Sequence, residues 1–551
     1  MKIIKKSIIC ALGFICILSC QQSEYKGMTI FSKQKQIPVL KYKKDNPILR
    51  INLFINEGKT LESIQISSHG TNDLDDLKNI RIYYTANDSV FNNQMQYATT
   101  QSAENSIQFE DKLQLNPGDN YFWLSYELAE HVDLLHHVDA ALEEIKLQGH
   151  APVKYKEQGT HLPMRVGVAL RQHMQDEVHT YRIPGLTTTN KGTLLAVYDA
   201  RKNSSRDLQG DIDIGLSRSI DGGNTWEPMQ TIMDMKDWGG LPEKFNGVSD
   251  ANILVDRSNG DIYAAGLWMY GVINEKGQWL EGLNEDSTAW NHQWRNRGSQ
   301  PGFGVKQTSQ FLITKSTDDG VTWSEPLNLT KMCKKEDWWL WAPAPGNGIT
   351  MADGTLVMPT QGRESQGLPF SNITYSSDQG KTWTTSSAAY TNTTESAVVE
   401  LSTGQLMLNM RDNRNRMDKT ERNGRAIFTT FDLGKTWTEH TTSHGALQEP
   451  VCMASLHKHN YAENGESKSI LLFSNPNSKH HRHKMTIKVS FDDGETWPKE
   501  YWLLLDEGPG RGYSCLTSID ENTIGILYEG SQADMIFQKV SLKELIGERV
   551  N

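Results

Sequence analysis

The chain has 551 residues, of which 22% are charged and 37% hydrophobic, and its formal net charge is −11. That balance excludes a disordered or membrane-embedded chain and gives no support to a nucleic-acid partner. The length exceeds one ordinary core and implies at least two domains, and any cluster of arginines in so acidic a chain calls for a local anionic ligand or local carboxylates.

The N-terminus reads as a targeting segment. Lys2, Lys5 and Lys6 head an apolar run over residues 8–18 that is too short to span a bilayer. It ends Ile17-Leu18-Ser19-Cys20, a pattern like a bacterial lipobox with Cys20 as the lipidated residue; the alternative is a simple secretory signal cleaved nearby. Gln21-Gln22 lacks the aspartate that often retains lipoproteins at the inner membrane. Residues 1–20 are therefore expected to be a lipoprotein signal, and the mature chain an exported one held at the outer membrane by lipid alone, facing the periplasm or the surface. Cys10 and Cys16 leave with the signal, while Cys333, Cys452 and Cys515 are scattered without metal spacing and read as buried small hydrophobes with at most one disulfide.

Residues 21–36 are polar and read as a tether. From 37 to 158 short alternating or apolar runs recur at 49–55, 63–67, 80–85, 106–109 and 121–126, separated by Gly, Asn, Asp and Pro turns. This is the pattern of an antiparallel β-sandwich, a domain to which carbohydrate binding is open but in which no motif specifies a role.

From 159 to 551 the chain breaks into strand–turn–strand units that end in a repeated box, Ser/Thr-x-Asp-x-Gly-x-Thr-Trp. Its five copies carry Asp221, Asp318, Asp378, Asp432 and Asp492, with steps of 97, 60, 54 and 60 residues. A fixed turn motif at such a period marks radial β-repeats, each a small sheet that cannot bury its own faces. The first unit parses as strands at 183–188, 193–199 and 211–218, with a fourth beginning near Trp226. The long step is an insertion over roughly 269–307. After the fifth box three strands remain, at 513–519, 523–529 and 536–540, and 165–170 from the start of the domain would complete a sixth unit and close the ring. The predicted fold is all-β, a six-bladed propeller preceded by a smaller β-sandwich. The boxes read as turns, with the Asp and Ser/Thr bonding turn amides and the Trp packing between sheets.

Each box lies between the third and fourth strands, on the lower rim. The opposite rim holds the loop before strand one and the loop between strands two and three. Arg182 precedes the first strand of blade one, and Arg201 and Asp207 lie in its two–three loop. Asp250 precedes blade two, and Glu395 starts blade four. Arg411 ends the second strand of blade four, Arg482 lies in the two–three loop of blade five, Tyr513 starts blade six and Glu529 ends its second strand. Three arginines from separate blades, Arg182, Arg411 and Arg482, could surround one carboxylate with bidentate charge-assisted bonds, with Glu529 holding Arg182 in place.

Tyr181-Arg182-Ile183-Pro184, the repeated boxes, and then Glu395, Arg411, Arg482 and Tyr513 in that order resemble the bacterial exo-sialidase (neuraminidase) family over about residues 165–548. The β-domain and the lipobox resemble those of the sialidases of Bacteroides and its relatives. Thr430 stands for Ser in the fourth box, and the Trp-rich insertion carrying Trp279, Trp290 and Trp294 does not align with the family pattern, which leaves the aglycone contacts unassigned.

The resemblance implies a retaining exo-α-sialidase acting on sialylated glycans. Tyr513 would be the nucleophile, Glu395 its base and Asp207 the acid and base toward leaving group and water. The arginine triad would bind the sialic acid carboxylate, and Arg201 and Asp250 other hydroxyls of the sugar. A trans-sialidase, an intramolecular one releasing an anhydro product, and a catalytically silent sialoside-binding propeller stand as alternatives. His480, His481 and His483 resemble a metal cluster by composition, but their loop position favours a solvated or substrate-rim role. No metal or cofactor is implied, and a monomer is expected.

Overall fold

A computed structural model describes residues 23–25, 27–156, 162–208, 210–269, 280, 282–284, 286–288 and 299–547. The signal segment with Cys10, Cys16 and Cys20, and Trp279, Trp290 and Trp294 of the insertion, lie outside the described residues. Among the described residues no helix is long and apolar enough to cross a membrane.

The N-terminal part is two packed antiparallel sheets. One runs, in spatial order, Ser23–Tyr25, Met28–Gln34, Asn46–Ile55, Gly118–Leu128, Leu77–Tyr84 and Gln96–Thr100; the other Val153–Lys154, Ala141–Leu147, Lys59–Ser67 and Ser106–Leu115. Alternate residues such as Ile51, Leu53, Ile64, Ile66, Phe122 and Leu124 fill the space between them, as period-two patterning requires of sheets with one wet face. The tether expected over 21–36 is corrected here. Met28–Gln34 is a strand paired along its whole length with Asn46–Ile55, with Met28 and Ile30 buried in the core and the rest half-buried or exposed.

Six sheets follow. Sheet one is Thr180–Thr188, Leu194–Arg201, Ile212–Ser219 and Gln230–Met233; sheet two is Gly247–Val255, Ile262–Met269, Gln310–Ser316 and Leu327–Asn328, with Gly346–Asn347 parallel to its inner strand. Sheet three is built on Leu340–Pro343, Leu356–Arg363, Pro369–Ser376 and Thr384–Thr385, and sheet four on Thr393–Glu400, Leu406–Asp412, Ala426–Thr430 and Thr438–Glu439. Sheet five is Ser455–Glu463, Glu466–Pro476, His483–Ser490 and Trp502–Pro509. Sheet six takes Ser514–Asp520, Thr523–Tyr528 and Met535–Ser541 from the end of the chain and Met164–Arg171 from the start of the domain, with Val168 opposite Phe537. Inner strands of successive sheets touch around a closed circuit, from sheet one through sheet six and back, which is the arrangement of a propeller. Each sheet is packed between two neighbours, so strands such as Leu194–Arg201 are buried at every position.

The outer edge of the closing strand Met164–Arg171 is not left open. His137–Val138 pairs with it antiparallel and Val39–Lys41 parallel, so the N-terminal domain covers an edge that would otherwise template pairing with another chain.

The five boxes fold alike. In each, the Ser or Thr hydroxyl bonds the Asp and accepts from the Gly amide, and the Asp accepts from the backbone and hydroxyl of the later Thr; in the second box these are Ser316, Asp318, Gly320 and Thr322. Those hydrogen bonds hold the Asp318, Asp378 and Asp432 carboxyls down to about 2. Two of the box tryptophans pack on the preceding sheet, Trp226 edge-on to Phe537 of sheet six and Trp383 to Tyr263 of sheet two, while Trp497 lies edge-on to Phe473 of its own sheet five. The fourth strand of sheet one begins at Gln230 rather than near Trp226, because the box turn carries the indole before pairing resumes.

Lys488 is wholly buried in sheet five, its Nζ 4.6 Å from the Trp502 ring and 5.5 Å from that of Phe473, with Asn475 Oδ1 accepting at 3.2 Å. Burial pushes its ammonium down to about 7 from 10.5. Between those values the unfolded chain binds the proton and the fold does not, so this group's contribution to stability rises with pH across that window. Below it the fold carries a buried charge in full. Lys488→Met is expected to stabilise the protein at pH 6 by about 2 kcal/mol or more, with the gain shrinking toward pH 10. Thermal midpoints of both proteins across that range check it; a gain independent of pH would refute the titration account.

Candidate active site

The upper rim is built by a repeated backbone device. The first strands of sheets one, two and four each contain a register shift where they reach the rim, between Arg182 and Gly185, Ser249 and Asn252, and Thr393 and Ser396. At two of these bulges a non-glycine residue has positive φ, Ile183 at 63° and Asp250 at 59°. A bulge re-aims a side chain out of the pleat, and such strain concentrates at working sites. Arg182 and Asp250 therefore lie inside the strands Thr180–Thr188 and Gly247–Val255, not before them as the sequence suggested, and Asp250 turns into the channel mouth through its bulge.

A cavity of about 670 Å³ opens at this rim, with Arg182, Asp207, Asp250, Glu395, Arg411, Arg482 and Tyr513 all in its wall. Its centre is a phenol, a carboxylate and a guanidinium in mutual contact. The Tyr513 hydroxyl donates to Glu395 Oε1, Arg411 Nη1 donates to Glu395 Oε2, and the same Nη1 lies 2.9 Å from the Tyr513 hydroxyl. The Tyr513 side chain is buried, and its ring faces two further guanidiniums, Arg182 at 5.4 Å and Arg482 at 5.5 Å from the centroid. Burial and the neighbouring Glu395 charge push the phenol well above its ordinary range, against the pull of Arg411 and Arg482. It is thus held protonated toward Glu395.

Behind the cavity Glu529 fixes Arg182. Its carboxylate accepts from Arg182 Nε at 2.6 Å, from the Ile183 amide at 2.9 Å and from the Tyr513 amide at 3.1 Å. Burial works against its charge, but Arg182 and these amides hold it below the usual carboxylate value. Arg482 is oriented by the carbonyls of Arg511 at 2.8 Å and Val451 at 3.1 Å.

Asp207 stands on the other wall with its side chain 60% exposed, 2.7 Å from Arg201 Nη1 and 3.7 Å from Arg182 Nη1. Arg201 is fully buried and its orientation comes from Asp199 Oδ2, which accepts at 2.8 Å and also receives the Ser249 hydroxyl at 2.7 Å. The Asp250 amide donates to the other Asp199 oxygen at 3.1 Å. Burial first, then the charges of Asp199, Glu395 and Asp207, drive the Asp250 carboxyl well above its ordinary value.

All eight rim residues singled out in the sequence, and Glu529 behind them, therefore meet at one site. Asp199 was missed, because one acid in the buried run Leu194–Arg201 reads as an anomaly of a core strand. Arg206, Arg363, Arg416 and Arg511 also line the cavity and were missed. Arg363 had a signal: it ends the second strand of sheet three as Arg201 ends that of sheet one. The described residues that could hold a metal are Asp211, Asp213 and Glu243, a group that does not include His480, His481 or His483. Cys333, Cys452 and Cys515 are free and buried.

The chain matches the family models described as BNR repeat-like domain, over residues 183–499, and N-terminal domain of BNR-repeat neuraminidase, over residues 28–151. It is 39% identical to a sialidase of Bacteroides fragilis across 98% of this chain and the whole of that one, and 32% identical to a sialidase of Micromonospora viridifaciens across 63% of this chain and half of that one. Among solved structures, Hadza microbial sialidase Hz136 superposes with a TM-score of 0.82 at 37% identity, covering 94% of this chain and all of that one. The intramolecular trans-sialidase of Ruminococcus gnavus shares the fold, with a TM-score of 0.52 at 19% identity over 68% of this chain and 98% of its own.

Proposed function

The chain belongs to the bacterial sialidase family of glycoside hydrolases, and from that premise we propose a retaining exo-α-sialidase that frees terminal sialic acid from glycoproteins, glycolipids and oligosaccharides through a tyrosyl-enzyme intermediate. The observation that carries this reading is the buried Tyr513–Glu395 hydrogen bond set among three guanidiniums. Sialic acid bears a carboxylate on its anomeric carbon. Arg182, Arg411 and Arg482 suit that anion, and the same anion would repel a carboxylate nucleophile, which favours a neutral one.

In the first step the Tyr513 oxygen attacks the anomeric carbon while its proton passes to Glu395. The bond to the leaving oxygen breaks, and that oxygen takes a proton from Asp207. In the second, Asp207 accepts a proton from water as the water oxygen displaces Tyr513, whose oxygen recovers its proton from Glu395. Two displacements retain configuration. The exposure of Asp207 supports its double task, since the group must meet first the leaving group and then water. Arg201 and Asp250 serve the remaining hydroxyls.

NMR of the products from a natural sialoside tests the reading: α-sialic acid should appear first. A β-anomer formed first would overturn the double displacement, and an anhydro or transferred product would replace hydrolysis. Asp207→Ala is expected to lower kcat/KM on natural sialosides by about 10²–10⁴-fold, and much less on an aryl sialoside whose leaving group needs no proton. Equal losses on both would remove Asp207 as the acid. We also infer export with lipid on Cys20, which mass spectrometry of the membrane-bound protein would detect.

A further inference from the structure

The cavity wall holds more positive charge than one sialic acid carboxylate requires. Its carboxyls are already engaged: Glu395 with Arg411 and Tyr513, Asp207 with Arg201 and Arg182, and Asp250 with the Ser249 hydroxyl, while Glu529 behind the wall is spent on Arg182. Arg363 and Arg416 are different. Neither guanidinium has an ion pair or hydrogen bond with any described residue, although both line the same cavity. Arg363 is half-buried, and burial together with the like charge of Arg416 lowers its hold on its proton. Two like charges close enough to feel each other, in the wall of a cavity and without a counter-ion, repel; an anion between them would relieve that repulsion. General basicity does not explain the pair in a chain with a net charge of −11.

We infer that Arg363 and Arg416 form a second anion subsite, so that the preferred sialoside carries an acidic group besides the carboxylate met by Arg182, Arg411 and Arg482. The inference rests on the sialidase reading. Arg363 ends the second strand of sheet three and Arg416 lies in the short 3-10 turn after the second strand of sheet four, whereas Asp207 belongs to sheet one across the channel. The planar forks of two arginines suit either a carboxylate or a sulfate, so the source of the second anion is a neighbouring sialyl residue or a sulfate ester on the glycan.

The test compares kcat/KM at low ionic strength for a monosialyl oligosaccharide, its disialyl counterpart and a sulfated monosialyl counterpart. One dianionic substrate should be favoured about tenfold, and added salt should shrink the ratio. Which substrate is favoured identifies the source of the anion. In R363Q/R416Q the ratio should fall to near one; R416Q alone, at an exposed residue, should lower it in part and guards against loss of folding in the double variant. Turnover of all three substrates without preference, or a preference that survives in R363Q/R416Q, overturns the second subsite alone. No turnover of any sialoside overturns the sialidase reading and this inference with it.

Discussion

Tyr513→Phe is expected to lower kcat on a fluorogenic α-sialoside by on the order of 10³-fold or more, while the protein keeps its thermal midpoint. The ring packs as before between Arg182 and Arg482, so the substitution removes one hydroxyl and little packing. What disappears is the bond to Glu395 and the contact with Arg411. Glu395→Gln should bring a comparable loss, because a phenol pushed well above its ordinary range does not ionise without an acceptor for its proton. Combining the two should cost little more than the worse single change, since the pair acts as a unit. Steady-state kinetics on all three variants decide the matter. Near-normal turnover in Tyr513→Phe would sink the nucleophile assignment, and additive losses would separate the two groups.

Glu529→Gln should cost about 3–5 kcal/mol of stability as well as most of the activity. It removes the charge that compensates a buried guanidinium and turns one of the two oxygens that accept from the Ile183 and Tyr513 amides into a donor. The sign of its pH dependence follows from the depressed carboxyl. The folded value lies below the unfolded one, so the stability it gives is present above the ordinary glutamate range and is lost as pH falls through the folded value. The wild type should therefore lose stability in acid more steeply than Glu529→Gln. A paired replacement, Arg182→Met with Glu529→Leu, should regain much of the stability and none of the activity. Thermal midpoints across the acid range and turnover of one sialoside give both readouts; recovered activity in the paired variant would remove Arg182 from the site.

Legibility followed the kind of signal each feature leaves in the chain. The boxes are local hydrogen-bonded turns, so their spacing exposed the repeat, and counting strands back from them located Arg182, Asp207, Glu395, Arg411, Arg482 and Tyr513 on one rim. The bulges at Ile183 and Asp250 left no such mark, because a backbone re-aimed by one residue keeps an ordinary strand composition. Asp199 was hidden by its apolar neighbours, and the parallel pairing of Val39–Lys41 with Met164–Arg171 by its brevity. Met28–Gln34 gave no clear strand signal because only Met28 and Ile30 are buried apolar residues, and the same face continues with the polar Ser32 and Gln34.

The seam in sheet six has a consequence for when activity can begin. Met164–Arg171 is made early and waits for Met535–Ser541, made almost last. Arg182 stands on one side of that seam, Tyr513 and Glu529 on the other. A chain still emerging from the ribosome holds the guanidinium but not the phenol and carboxylate that it must meet. The working constellation is assembled by the same event that completes the ring, and an unfinished molecule is chemically silent.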